Sequence, residues 1–589
     1  MHIRRYPART ITAVMAALLI SLSLGAAEQT SSIDRDLLGK ALRNGFVPII
    51  LKLKVPRIEY LTADSTRYST RIDDPLEKQL SREADLRLEA AIRTVSDEVL
   101  FQLEHMEYRL HHTFSTLPYL AVRATPETLE RLAQLPQVLG IIEDRLTRIP
   151  EYNVSDPGQR DTTPPLMADA TEVVRADSAW AAGYTGAGEF VAVLDAGVRR
   201  THEAFTGKTI VEQCYSLKSD CPNNLMAMSG PGSARMYDPQ YYGYDHGTHV
   251  SGIAIGNNGG SFRGIAPDAN LIHVQVFSRF SAAECNSNQP CVMSYNSDQL
   301  KGLEFVFSRR TQLRIASVNM SLGGGEYDNA ASCDSDNPSL KLAIDNLRAA
   351  GIPTIISAGN DALCDAISAP ACISSAISVG ATTKKDIEAS FSNFHPELLD
   401  FFAPGRSIRS STGSTDSSYE SWGGTSMAAP MLAGAFAIFR QFSQDVPVDD
   451  LMTALEYSGQ NISTKCQTGV KKPRINVGET LMSLMNIAPP VNIQGSQSRN
   501  QSMFQTEYIN TLTWEANPLN DDKNIVAYRI YEMNDDQMVR IAEVDAATFT
   551  YNHRRVPKRQ EKTYAFTSVD GEGEESGPAL FDLEFGVEQ

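Results

Sequence analysis

The sequence predicts a three-part chain. Its centre reads as an α/β domain with a parallel sheet flanked by helices, preceded by a small α+β domain and followed by an all-β sandwich. Three observations predict this. Apolar runs at 190–194, 271–276, 315–320, 354–357 and 376–379 alternate with helical runs at 299–307 and 339–350, as strands and crossover helices of a buried parallel sheet do. All eight cysteines lie between Cys214 and Cys466, which sets the central part off from its flanks. After Pro489-Pro490, strand-like runs at 510–514, 526–532, 538–542 and 563–570 follow at regular spacing with turn residues between them.

Size and charge bound the reading. A chain of 589 residues suggests about three or four domains. Its net charge of -18 argues against nucleic acid or an anionic membrane as partner, because phosphate binding needs clustered Lys and Arg.

At the amino end, Arg4, Arg5 and Arg9 precede an apolar stretch over 11–24, and Gly25-Ala26-Ala27 offers a small-residue cleavage site. Residues 1–27 therefore read as a secretory signal peptide. The stretch is shorter than the roughly 20 residues of a spanning helix, so no transmembrane anchor is expected. The protein is expected outside the cell, or in the periplasm if the source is Gram-negative. Residues 28–150 carry a strand at 47–55, helical spacing over 76–103, a strand at 119–124, a helix capped by Thr125 with Pro126 in its first turn, and a strand at 138–144. Residues 151–176, rich in Asp, Pro, Gly and Thr over 153–167, read as an exposed linker where processing occurs. The α/β domain is placed at 177–487 and the β-sandwich at 488–589.

An even cysteine count confined to one domain of an exported chain reads as disulfides. Short intervals favour Cys214 with Cys221 and Cys285 with Cys291, and the pairing of Cys333, Cys364, Cys372 and Cys466 stays open. Zinc is disfavoured, since no two cysteines sit two residues apart.

Three strings in the central domain carry chemistry. VAVLDAGV places Asp195 at the carboxyl end of an apolar strand, where open α/β sheets present their chemistry. DHGTHVSG places His246 at the start of an apolar helical run. GTSMAAP places Ser426 at the start of another, where free N–H groups favour developing negative charge. Carboxylate, imidazole and hydroxyl are the parts of an acyl-transfer triad. Each residue taken singly reads as a turn, a structural histidine or a loop; it is their joint occurrence in one domain that points to catalysis.

These strings, in this order, resemble those of the subtilisin-like serine proteases, the subtilases, over residues 177–486. The resemblance implies Asp195 as orienting acid, His246 as general base and Ser426 as nucleophile. It further implies Asn360, in IISAGN, as oxyanion donor, and Ser321, Leu322, Gly323 and Gly324 as the segment that pairs with the substrate backbone. Ala196, Ser251 and Met431 depart from the usual family residues, and none of them supplies a proton in the mechanism. His202 and His249 go to the scaffold, and His273, His111 and His112 to scaffold or surface. Residues 28–150 resemble the family's inhibitory propeptide, whose tail occupies the cleft until it is cut. The placement of Trp514, Tyr528 and Tyr564 is similar to that in fibronectin type III domains. A disulfide-tied loop over 278–296 lies where relatives line the cleft, and reads equally as a specificity element or as a surface staple.

The expected function is thus a secreted serine endopeptidase made as a self-inhibited precursor, acting on protein or peptide substrates, with its own propeptide as intramolecular inhibitor. No cofactor and no catalytic metal is expected. Structural calcium, common in relatives, is left open with its ligands unassigned: Asp334, Asp336 and Asn337 are conceivable, yet Asp-Ser-Asp-Asn more often starts a helix. The competing reading is an inert adhesion protein that keeps a protease fold and binds through its sandwich. A base that works as neutral imidazole, with a reference pKa near about 6.5, predicts activity that falls below about pH 6. A flat peptidase rate between pH 5 and 8 would contradict it.

Overall fold

The computed structural model describes residues 33–56, 75–150, 167–485, 487–501, 506–517, 520, 523–534, 537–583 and 585. The expected signal peptide and residues 151–166 of the expected linker lie outside the described residues. The chain divides into two compact units, one holding the residues up to Arg145 and the other, from Leu146 onward, taking in 64–78 as well.

In the first unit, α1 (Arg35–Asn44), β1 (Val47–Leu53), α2 (Pro75–Phe101, in this unit from Gln79 on), β2 (Tyr108–Thr113), β3 (Tyr119–Ala124), α3 (Pro126–Ala133) and β4 (Val138–Glu143) follow one another. The strands form an antiparallel sheet in the order β2-β3-β1-β4. Val47, Ile49, Leu51 and Leu53 alternate along β1 and enter one core with Val95 and Val99 of α2 and Leu129 and Leu132 of α3. The Thr125 hydroxyl accepts the Thr128 N–H at 3.2 Å, and Pro126 stands where no partner for an N–H is needed. Two elements were not read from the sequence. Helix α1 has Gly39 at its centre, and β2 is mostly polar, with His111 and His112 buried.

The second unit begins with β5 (Leu146–Arg148). Part of the stretch read as linker is helical here: α4 (Met167–Val173) and α5 (Ala176–Ala181) bury Met167, Ala170, Ala176 and Ala179. Then come β6 (Phe190–Asp195), β7 (Ile210–Tyr215), β8 (Ala227–Ser229), α6 (His246–Ile255), β9 (Asn270–Gln275), β10 (Ser278–Phe280), β11 (Cys291–Tyr295), α7 (Asn296–Arg309) and β12 (Ile315–Met320). These lead through β13 (Gly324–Tyr327), α8 (Ala330–Asp336), α9 (Pro338–Ala349), β14 (Thr354–Ser357), β15 (Ile367–Ala369), β16 (Ile377–Thr382), β17 (Phe401–Pro404), β18 (Ile408–Ser411) and β19 (Tyr419–Trp422). Last are α10 (Thr425–Phe442), α11 (Val448–Ser458), β20 (Gln460–Ser463), β21 (Lys471–Arg474) and α12 (Val477–Met485).

The main sheet runs β20-β21-β17-β16-β14-β12-β6-β9-β7-β8. It is parallel from β21 to β7, as expected, and carries an antiparallel strand at each edge. Strands β6, β12, β14 and β16 are buried along their whole length, which is why they read as continuous apolar runs.

Among the described residues the carboxyl-terminal part forms seven antiparallel strands, β22 (Val491–Gln501), β23 (Thr506–Glu515), β24 (Ile525–Asn534), β25 (Gln537–Asp545), β26 (Thr550–Val556), β27 (Lys562–Asp570) and β28 (Ala579–Leu583). They make sheets of β22-β23-β26 and β25-β24-β27-β28. Leu512 and Trp514 from the first sheet meet Tyr528, Ile530, Tyr564 and Phe566 from the second in one core.

Four disulfides are present: Cys214–Cys221 and Cys285–Cys291, as the intervals favoured, and Cys333–Cys372 and Cys364–Cys466. Cys364 and Cys466 are 102 residues apart and Cys214 and Cys221 are 7 apart. By loop entropy the longer bridge stabilises more, by about 2 kcal/mol. The Cys364→Ser/Cys466→Ser pair should therefore lower Tm further than Cys214→Ser/Cys221→Ser in calorimetry, and equal losses would contradict this. A second test concerns pH. Burial pushes His249 down to about 3. The unfolded chain then binds more protons between that value and about pH 6.5, so the contribution of the buried neutral ring is full above about pH 6.5 and is lost as pH falls toward 3. In a Ser426→Ala background, the Tm deficit of His249→Gln should shrink from pH 8 to pH 4; a constant deficit would contradict it.

Candidate active site

Strand β6 delivers Asp195 to the carboxyl end of the sheet, and α6 begins on His246. Both side chains are fully buried. His246 Nδ1 lies 2.8 Å from Asp195 Oδ1 and 3.0 Å from Oδ2. Asp195 Oδ1 also accepts the Ala196 N–H at 2.7 Å. A carboxylate only accepts, so the proton shared by this pair sits on Nδ1, and in the neutral ring Nε2 is left as the acceptor.

Ser426 occupies the first turn of α10, a helix buried from Thr425 to Arg440. Its Oγ is buried and has no hydrogen-bond partner among the described residues. Pro430 lies four residues on and has no N–H to give the Ser426 carbonyl. The Ser321 hydroxyl takes that place, donating to the Ser426 carbonyl at 3.0 Å, and is itself bonded by Asn319 Nδ2 at 3.0 Å. The segment after β12 is thereby fastened to the turn that carries Ser426.

Asn360 stands at the same turn. Its Oδ1 accepts from Thr425 N at 2.9 Å and Thr425 Oγ1 at 2.8 Å. This orients the amide so that Nδ2 is the end beside Gly424, where a Cβ would come within 3.1 Å of it. A side-chain donor and the N-terminus of α10 thus stand together, the arrangement that favours an oxyanion.

Of the segment expected to pair with substrate, Ser321 and Leu322 are buried and Gly324 begins β13, which pairs with β15. Gly323 pairs outward. Its N–H donates to the Arg148 carbonyl at 3.1 Å, and the Arg148 N–H donates back at 3.4 Å. On its other edge the same strand, β5, is antiparallel to β11, with Arg148 opposite Met293, Thr147 opposite Ser294 and Leu146 opposite Tyr295. The β10–β11 hairpin, closed by Cys285–Cys291, therefore forms one wall of a slot that holds an extended chain.

Two further histidines brace these elements. His202 Nε2 bonds the Ser418 carbonyl at 2.9 Å while its Nδ1 accepts the Ala204 N–H. His249 Nε2 bonds the Glu420 carbonyl at 3.1 Å, and its ring stacks on Trp422 at 4.1 Å. The helix that begins on His246 is thus joined to the strand that leads into Ser426. The Asp-Ser-Asp-Asn stretch ends α8 and starts α9, with Asp334 accepting from Ser374 N and Oγ. Sequence reasoning did not find β5, Thr425 or Trp422. Thr425 stands inside the GTSMAAP string, where the sequence assigns it no role, β5 and Trp422 belong to no chemical motif, and each acquires its role from a partner distant in sequence.

Residues 186–471 match the family model described as the Subtilase family. The Extracellular serine proteinase of Thermus sp. (strain Rt41A) is 31% identical over 338 residues, covering 57% of this chain and 70% of that protein. The Alkaline protease of Alkalihalobacillus alcalophilus is 31% identical over 350 residues, covering 59% and 76%. The Alkaline serine exoprotease A of Vibrio alginolyticus is 28% identical over 344 residues, covering 58% and 55%. No helix among the described residues is long and apolar enough to cross a membrane. Likeness across most of the length of a serine proteinase and an alkaline protease, on a sheet whose strand ends bring an aspartate against a histidine, identifies the chain as a member of the subtilase family and a subtilisin-like serine endopeptidase.

Proposed function

We propose that the chain is an exported precursor whose catalytic unit hydrolyses internal peptide bonds with Ser426 as nucleophile, His246 as base and Asp195 as orienting acid. His246 takes the hydroxyl proton as Ser426 attacks the carbonyl and passes it to the leaving amine. Asp195 stabilises the imidazolium, and Asn360 Nδ2 with the Ser426 N–H holds the oxyanion. Each of these steps is carried by a protein group, so the reaction asks for no cofactor.

The observation that carries the precursor part is the seating of β5. It lies antiparallel to both β11 and Gly323, as an extended substrate would. If the antiparallel Arg148–Gly323 register were continued by two residues, Pro150 would come opposite Ser321, whose hydroxyl bonds the Ser426 carbonyl. An antiparallel course of this kind supports a chain directed toward Ser426 and, with it, residues 28–150 as an inhibitory propeptide until cut. Export is supported by the basic and apolar leader, by four disulfides and by relatives described as extracellular. The seven strands of residues 488–589 and their Trp514, Tyr528 and Tyr564 core support a fibronectin type III-like sandwich.

Intact masses of secreted wild type and Ser426→Ala, each treated with a serine-directed phosphonate, test this reading. Loss of leader and propeptide in wild type only, with label on Ser426, is the expected result. Wild type at precursor mass without label would leave the inert scaffold as the better account.

A further inference from the structure

We propose that His273 is a positioning residue for this reaction, a buried imidazole that ties the turn after Asp195 to the helix carrying His246. The inference rests on the triad reading above and extends it to a residue that touches neither substrate nor the reacting atoms.

His273 lies on β9, beside β6, and pairs in register with Val193, two residues before Asp195. In strands of parallel register this puts His273 on the face that Asp195 shares, one step back from it. The ring is fully buried. Its Nε2 is 2.6 Å from the carbonyl oxygen of Ala196, the residue that follows the acid. A carbonyl only accepts, so Nε2 carries the proton and Nδ1 is the acceptor. That acceptor faces Ser251 Oγ at 3.3 Å, on α6, five residues after His246. Burial holds the ring below its ordinary pKa, the state this bonding requires. Two of the three residues that depart from the family's usual pattern, Ala196 and Ser251, are therefore the two partners of one histidine.

The space confirms how close the three elements come. A Cβ on Gly247, the residue after the base, would lie 2.4 Å from the Ala196 carbonyl oxygen and 2.8 Å from His273 Cε1. The acid's turn, the base's helix and the His273 ring are in mutual contact. Loosening one shifts the acid against the base, and a displacement of about 1 Å in such a site costs roughly 10²-fold in rate.

The test measures kcat, KM and the pH–rate profile of Ser251→Ala, His273→Leu and His273→Gln, each normalised to the phosphonate-titrated fraction of mature enzyme. His273→Leu should lower kcat per titrated site at least ten-fold with KM within two-fold, and move the acid limb of kcat/KM to lower pH, because a displaced Asp195 supports the imidazolium less. Ser251→Ala should do the same to a lesser degree, about two- to five-fold, and His273→Gln, which keeps a donor toward Ala196, should recover most of the rate. A purely structural role would reduce the titrated fraction and leave kcat per site and the acid limb unchanged; that result, in Ser251→Ala alone if His273→Leu fails to accumulate, overturns the proposal. Should wild type lack label at Ser426, or Ser426→Ala remain active, the triad reading fails instead, and the two failures are told apart in one experiment.

Discussion

The catalytic unit is built around a helix that has no solvent face. From Thr425 to Arg440, α10 is buried on every side, packed between the sheet and α6. A helix that is apolar all round is stable only in such a setting. Its Ala- and Gly-rich sequence lets its neighbours approach. At Gly434 a Cβ would stand 2.7 Å from the Ala254 carbonyl oxygen of α6 and 2.8 Å from Ile265. The two helices that carry Ser426 and His246 are thus held at a separation only glycine permits, and their first turns are fixed with them.

Buried backbone groups complete this arrangement. The Ser410 and Ser411 hydroxyls of β18 donate to the His249 and Thr248 carbonyls on α6, and Ser317 of β12 donates to the Ala433 carbonyl on α10. Pro430 opens the helix ladder at the Ser426 carbonyl, and Ser321 closes it. Hydroxyl side chains therefore do in this core what long polar side chains would do at a surface. They satisfy carbonyls while keeping the elements close.

Much of this was legible in the sequence, and for identifiable reasons. β6, β12 and β14 announce themselves because both of their faces are buried, and the start of α3 because Thr125 and Pro126 are local signals. Asp195, His246 and Ser426 stood out through their joint occurrence in one domain, and Asn360 only through the resemblance to the subtilases. What stayed hidden depends on partners remote in sequence. β5 is three residues long, too short for any periodicity, and is a strand only because Met293 and Gly323 flank it. His273 reads as an ordinary buried histidine until Ala196 and Ser251 are brought to its two nitrogens. The two long-range disulfides could not be read because intervals rank only the short loops.

If substrate takes the place of β5, as proposed above, the slot between β11 and Gly323 limits what can be cleaved. A chain seated there as Arg148 is seated offers hydrogen bonds from both of its backbone edges at once. A residue inside a helix or an interior strand has already committed those groups to its own fold. Such a segment must first come loose over several residues, so its turnover follows the opening equilibrium of the target more than its side chains. On the proposed reading the slot would gauge local order in its targets, since a frayed chain can offer both backbone edges and a compact fold cannot.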